Sequence, residues 1–497
     1  MQKPARWNGD PECGHLVAHP YQTHYCSYIR VPKLLTLQQP AGDQPDEILA
    51  LLALQAFELW FKVLLSDLPT ALSLVRGGPT ADETAKLLNR ITRLLGLLDA
   101  QVEVAEAILS DGHGMRLPLA ASQGRRSDQL QRLKRLAEQA PQDLAPKDSS
   151  IQRGWRDALA RFDRWLPRFE HLLEILFEPD GSGALDFREY LRLEQLLDLQ
   201  TGVKAEWTPA GRPPRAITPT EEISPDELLF IVVHQVVELW FRAQLHELDA
   251  AMADLLAGPP DVLGAVGRLR HVVRIQRLLV DMIHIPATML PMGFLQFRSE
   301  IKPIDGLTHE RGLSPASGTE SYQFRELEIL GGLKHSVAYQ EFLRGNRRMH
   351  IRFLTPKQAE RLQQPSLPEA FRHLLAARGI ADLLDIFAPP AVPNPHSDLA
   401  DLAGVLLEFD QFFQLWRLNH LTMVQSMIGR KSGTGFLGPE YLKETVGMGI
   451  QGEDDRLLPT PQMRPRFFED LWEVRTRMQA GGSGDQGPGT QGPSHAP

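Results

Sequence analysis

Two histidines stand alone in apolar helical surroundings, and the chemistry of the chain is best sought there. His234 lies within Phe230-Ile231-Val232-Val233-His234-Gln235-Val236-Val237, with Phe230 one turn earlier on the same face. His420 lies within Phe413-Gln414-Leu415-Trp416-Arg417-Leu418-Asn419-His420-Leu421-Thr422-Met423-Val424, where Phe413, Trp416, Val424 and Met427 recur at helical spacing. An imidazole in an apolar wall costs about 1–3 kcal/mol unless a polar partner meets it. Neither histidine has a second His, Glu or Asp at the spacing of a zinc or di-iron motif. One histidine per helix does suit haem, because the porphyrin supplies four nitrogens and the protein only an axial ligand. Taken alone, each segment also fits a plainer account: a core histidine satisfied by a local hydrogen bond, or an ordinary helix-packing stripe.

Arg298 follows Phe294 by one turn, and a guanidinium beside aromatics makes a bidentate clamp for a carboxylate; a solvated surface arginine accounts for it equally well. After the His420 segment, Gly429-Arg430-Lys431-Ser432-Gly433-Thr434-Gly435 offers amides and hydroxyls that could close over a ligand. Its spacing is not that of a phosphate loop, and a plain helix C-cap also explains Gly429.

These groups need rigid elements to hold them, and nearly every periodic segment has helical spacing. The apolar pattern predicts helices over 46–76, 85–110, 129–139, 150–177, 225–256, 261–289, 368–377 and 400–429, and sustained alternation is absent, so the chain reads as all-α. Ser224, Pro225 and Glu227 form the start of a capping box. Breaks fall at 140–149, 201–220, 354–366 and 389–396, and the Gly, Ser, Gln and Pro tail of 480–497 is expected to be disordered.

Among 497 residues the net charge is −9, which argues against nucleic acid or an anionic membrane as the main partner. Cys13 and Cys26 are too few for a disulfide framework or a thiolate metal site. The N-terminus lacks the apolar stretch of a secretory signal, and no run approaches the ~20 apolar residues of a membrane span, so a cytoplasmic location is expected.

The chain also repeats itself. Pro45-Asp46-Glu47-Ile48-Leu49-Ala50 through Leu54-Gln55 and Glu58-Leu59-Trp60-Phe61 returns as Pro225-Asp226-Glu227-Leu228-Leu229-Phe230 through His234-Gln235 and Glu238-Leu239-Trp240-Phe241, 180 residues later. Upstream, Tyr28-Ile29-Arg30 through Leu37-Gln38 matches Tyr190-Leu191-Arg192 through Leu199-Gln200 at an offset of 162. Residues 1–180 read as a short first copy and 181–479 as a longer second copy. Only the second has Phe230 and His234; the first has Ala50 and Leu54 in their places.

Together these residues resemble the tryptophan 2,3-dioxygenase family. The resemblance rests on six stretches in the family's order between about Leu185 and Val446. They are Asp226 to Gln235 with Glu238-Leu239-Trp240; Phe297-Arg298; Ser314-Pro315-Ala316-Ser317-Gly318-Thr319-Glu320-Ser321-Tyr322-Gln323-Phe324-Arg325; Pro365-Ser366-Leu367; Trp416-Arg417 to His420; and Gly433-Thr434-Gly435. The family is all-α and binds non-covalent haem b, and it inserts both atoms of dioxygen across the indole C2–C3 bond of tryptophan.

The resemblance implies that His420 is the axial ligand to the haem iron and His234 the distal histidine that accepts a hydrogen bond from the indole N–H. It implies that Phe230 walls the substrate pocket, Arg298 binds the substrate carboxylate, and Thr434 belongs to the closing loop. Ser317, Gly318, Trp416 and Val424 are then expected beside the haem. Three departures concern the substrate: Phe294 stands where the family usually has tyrosine, Phe436-Leu437-Gly438-Pro439 replaces a Gly-Ser-Ser-Gly loop tip, and the segment from Arg298 to Ser317 is longer than usual. Losing the tyrosine hydroxyl removes a hydrogen bond of about 0.5–1.5 kcal/mol.

The expected reaction is therefore ring opening of L-tryptophan or a substituted tryptophan. Haem-dependent hydroxylation of another aromatic amino acid, or a silent haem-binding relative, are the alternatives. In the family, N-terminal tyrosines of a neighbouring subunit reach over the active site. Tyr25 and Tyr28 match that pattern in the first copy, which is accordingly expected to serve as a built-in partner, and the assembly expected is a homodimer of such duplicated chains. His171 is the candidate relic of the axial position in the first copy.

Overall fold

The computed structural model describes residues 8–9, 16–17, 25–77, 81–110, 117, 127–138, 150–177, 186–206, 216–300, 318, 321–335, 356–387, 393–429, 442–443 and 466–478. The first copy begins with a two-stranded hairpin, β1 (Asn8–Gly9) and β2 (Leu16–Val17), then the short helices α1 (Tyr25–Ile29) and α2 (Val31–Leu34). Four longer helices follow: α3 (Glu47–Gly77), α4 (Ala81–Ser110), α5 (Asp128–Glu138) and α6 (Ser150–Leu176). The second copy opens with α7 (Phe187–Tyr190) and α8 (Leu193–Leu197) and the antiparallel pair β3 (Gly202–Glu206) and β4 (Ala216–Thr220). It continues with α9 (Pro225–Leu256), α10 (Val262–Met282), α11 (Pro291–Glu300) and α12 (Tyr322–Leu330). Last come α13 (Pro356–Arg361), α14 (Leu367–Ala377), α15 (Ser397–Ile428) and α16 (Glu469–Arg477).

The architecture is all-α apart from these two hairpins, which period-2 reading missed because each strand is at most five residues long. Of the predicted breaks, 201–220 holds β3 and β4 and 354–366 holds α13. The tail of 480–497 lies outside the described residues. α9 starts as its sequence predicts: the Ser224 hydroxyl accepts from the Glu227 amide at 3.1 Å with Pro225 in the first turn. The Glu227 carboxylate, expected to close the box, accepts from the Tyr28 hydroxyl at 2.8 Å.

Packing joins the copies along their longest helices. α3 packs on α4 and α4 on α6; α9 packs on α10 and α10 on α15; α3 meets α9, and α4 meets α10. One apolar core runs through both. Windows of α3 and α9 are long and apolar enough to cross a membrane, contrary to the expectation from sequence, but 83% of each window is buried inside the protein. Their apolarity serves the core.

Contacts between the copies come in reciprocal pairs. Tyr28 of the first donates to Glu227 of the second at 2.8 Å, and Tyr190 of the second donates to Glu47 of the first at 2.7 Å. The Gln235 side chain donates to the Ile29 carbonyl at 2.9 Å, and that of Gln55 to the Leu191 carbonyl at 3.0 Å. Arg30 and Arg192 both take the left-handed conformation, φ 60° and 53°, where α1 turns into α2 and α7 into α8. Each copy thus lays its N-terminal turns on the long helix of the other.

Candidate active site

α9, α10, α12 and α15 surround a cavity of about 90 Å³. His234 on α9 and His420 on α15 both line it, with Tyr25 from the first copy and Gly318 and Trp416 from the second. Most of the remaining wall is apolar, including Val237, Phe241, Leu279, Phe324 and Met423.

The hydrogen bonding of His234 fixes what it offers. Its Nδ1 lies 2.7 Å from the Phe230 carbonyl, which can only accept, so Nδ1 carries the hydrogen and Nε2 keeps its lone pair. Burial pushes the imidazole down to about 4, against a smaller upward pull from the Phe230 carbonyl, so the ring is neutral near pH 7. His420 is likewise pushed down to about 4, by burial and then by repulsion from His234. It is half-exposed only because its free surface faces the cavity. Among the described residues its ring nitrogens have no hydrogen-bond partner, and Trp416 stacks on it at 5.2 Å and 23°.

The first copy supplies part of the wall. The Tyr25 ring meets His234 edge-on at 5.8 Å and 70°, and its hydroxyl donates to Glu238 Oε1 at 2.9 Å, one turn beyond His234. Gln323 of α12 donates to the other oxygen of Glu238 at 2.7 Å. Behind His234, the Phe230 ring lies 4.3 Å from the imidazole, 5.7 Å from Phe294, 5.6 Å from Phe297 and 6.2 Å from Tyr28.

Of the residues singled out from sequence, His234, His420, Tyr25, Gly318 and Trp416 line one cavity, while Phe230, Phe294 and Tyr28 form the aromatic layer behind it. Val424 is half-buried and does not line the cavity; Met423 does. Arg298 lies in the last turn of α11, its side chain outside the described residues, as are Ser317 and Thr434 altogether. Sequence reading assigned no role to three charged groups that also reach the cavity. Glu328 accepts from Arg417 at 2.6 Å and pairs with Arg325 at 2.6 Å. Arg325 and Trp416-Arg417 stood in the quoted motifs, but spacing alone does not reveal that they converge.

The corresponding place in the first copy is filled. Trp165 stacks on Phe169 at 5.2 Å and 19°, as Trp416 does on His420, and Phe61 meets Trp165 at 5.6 Å and 69° as Phe241 meets Trp416 at 6.2 Å and 70°. Phe169 therefore occupies the place of His420. His171, the expected relic, is exposed and 3.7 Å from Glu174; it points away because it lies two residues past Phe169 on the helix. Phe57 closes on Phe169 at 4.5 Å, and Leu54 is buried where the second copy has His234.

The donor set fits haem. A neutral imidazole without a polar partner faces an apolar cavity, the buried Trp416 Nε1 also lacks a partner among the described residues, and two guanidinium groups can meet carboxylate side chains of the macrocycle. Fold and site together define a helical protein with an apolar pocket whose lining fits haem. The family model of tryptophan 2,3-dioxygenase matches residues 11–137 and 178–367, more than half of the chain, and His420 lies beyond the match. The chain is 33% identical over 318 residues to the tryptophan 2,3-dioxygenase of Herpetosiphon aurantiacus, covering 60% of this chain and 100% of that one. It is 37% identical over 285 residues to that of a Nocardioides species, covering 54% and 91%. A Bradyrhizobium relative is 29% identical over 317 residues, covering 60% and 94%. The chain belongs to the tryptophan 2,3-dioxygenase family and is a haem-dependent oxidoreductase that incorporates dioxygen.

Proposed function

We propose that the protein opens the indole ring of L-tryptophan, or of a ring-substituted tryptophan, to an N-formylkynurenine-type product. The supporting observation is the placement of two neutral histidines on one apolar cavity with the Nε2 lone pair of His234 left free. Bound haem supplies the iron at which dioxygen is activated. His420, whose imidazole has no hydrogen-bond partner among the described residues, would hold that iron. His234 accepts the indole N–H at Nε2, because its Nδ1 hydrogen is already committed to Phe230. Phe230 and Phe294 back the indole, Arg298 takes the carboxylate, Thr434 closes over the amino-acid end, and Ser317, Gly318 and Trp416 flank the cofactor. The dry wall keeps water from the reacting carbons while the side chains hold the ring in register.

The first copy, residues 1–180, acts in this reading as a built-in partner subunit for residues 181–479. It covers the working pocket with Tyr25 and Tyr28 and has no haem site of its own. The protein works in the cytoplasm, and its assembly is a homodimer of duplicated chains.

The test is anaerobic reduction of haem-loaded protein followed by oxygen and L-tryptophan. Formylkynurenine absorbance should appear, and His420→Ala should lose the Soret band. A ferrous spectrum indifferent to tryptophan, with no product, refutes the proposal.

A further inference from the structure

We infer that Arg90, on the first copy's α4, is a positioning residue for substrate recognition in the second copy, acting through Asp226 on the helix that carries Arg298. The inference rests on the proposed role of Arg298 as carboxylate clamp.

Arg90 is buried between two carboxylates. Its Nε and Nη2 donate to Asp67 at 2.8 and 2.7 Å, and its Nη1 donates to Asp226 at 2.6 Å. The other oxygen of Asp226 accepts from the Leu290 amide at 3.2 Å. Leu290 begins α11, since its carbonyl accepts from the Phe294 amide at 2.9 Å. A carboxylate there satisfies an end amide and complements the positive end of the helix dipole. The same short helix carries Phe294, Phe297 and, in its last turn, Arg298. Gly293 leaves the room Asp226 needs: a Cβ at 293 would stand 2.4 Å from Asp226 Oδ2.

The chain contains an internal comparison. Arg268 occupies the corresponding position between Glu247 and Asp46, which repeat Asp67 and Asp226 at the 180-residue offset. Its contacts are longer, 3.3 and 3.6 Å, and its side chain is 31% exposed against 6% for Arg90. The tight, buried version stands only where a substrate helix has to be held. A guanidinium fork can grip both carboxylates at once, which the single ammonium of lysine cannot reproduce.

Arg90→Lys and Gly293→Ala, prepared as haem-loaded full-length protein, test this by calorimetric titration with L-tryptophan and with tryptamine, which lacks the carboxylate. Both variants should keep the wild-type haem content and weaken L-tryptophan by about tenfold, as misplacement of a binding group does. Tryptamine affinity should change by less than about twofold. Equal weakening of both ligands, or no change in either, overturns the inference. Arg298→Ala separates the two readings. If it abolishes the preference for L-tryptophan while the other two variants leave that preference intact, Arg90 has no such role. If Arg298→Ala itself leaves the preference intact, the proposed role of Arg298 falls, and with it the route by which Arg90 acts.

Discussion

Glu58 carries a prediction about stability that follows from the difference between the two copies. It is the counterpart of Glu238, and Gln129 donates to one of its oxygens at 2.7 Å as Gln323 does to Glu238. The other oxygen of Glu238 accepts from Tyr25, whereas Oε1 of Glu58 is buried without a partner among the described residues. The residue three before Tyr190, as Tyr25 is three before Tyr28, is Phe187, which has no hydroxyl to give. Burial accordingly raises Glu58 from 4.5 to about 7, against hydrogen bonds from Ser127 and Gln129 that pull it down. Because the folded state holds this proton more tightly than the unfolded chain, the stabilisation is complete below pH 4.5 and is lost as pH rises through 7. At about 1.4 kcal/mol per pH unit, the loss between pH 4.5 and 8 is about 3 kcal/mol. Glu58→Gln mimics the protonated form. Urea unfolding followed by circular dichroism should find the variant near wild type at pH 5 and more stable by about 2–3 kcal/mol at pH 8. A difference between variant and wild type that does not change with pH refutes the reasoning.

Phe187→Tyr should restore a donor to Glu58 and stabilise the protein by about 1 kcal/mol at pH 8, and the gain should vanish in the Glu58→Gln background, measured by the same unfolding curves. Tyr25→Phe removes a hydrogen bond to a buried carboxylate and should cost about 1.5–3 kcal/mol in urea denaturation. His234→Leu, the first copy's own choice, should leave the Soret band in place while weakening L-tryptophan by about three- to tenfold in a spectral titration, one hydrogen bond's worth. Phe169→His should leave the pyridine haemochrome stoichiometry at one haem per chain, because Leu54, Phe57 and Phe61 still fill that pocket; a value near two would show that the axial residue alone decides occupancy.

The helices were legible wherever the apolar face extended over several turns. The start of α9 was predicted at the residue where it occurs, since Ser224 and Pro225 leave the backbone little choice. What escaped were short elements such as α1, α7 and α12, whose one or two turns give too few positions for a period, and whose stability comes from tertiary contacts such as Tyr28 with Glu227. The candidate site divides in the same way. His234 and His420 were readable because a lone imidazole in an apolar run is anomalous in any context. Arg90, Glu238 and Glu328 were not, because a charged residue in a helix is unremarkable until distant residues such as Asp226, Tyr25 and Arg417 are brought to it.

Carrying both halves on one chain frees each to change alone. In a symmetric dimer of identical subunits, a phenylalanine in place of the pocket histidine would appear in every pocket at once. Here Phe169, Phe57 and Leu54 fill one pocket while His420, Val237 and His234 keep the other open. Filling matters energetically, because an apolar void costs about 24 cal/mol per Å³ in a core that cannot collapse. The first copy still presents Tyr25, Tyr28 and Arg90 to its neighbour. The polar contacts diverge at two places, where Arg268 makes longer contacts than Arg90 and Glu58 Oε1 lacks a partner among the described residues, while Tyr190 with Glu47 stays as short as Tyr28 with Glu227.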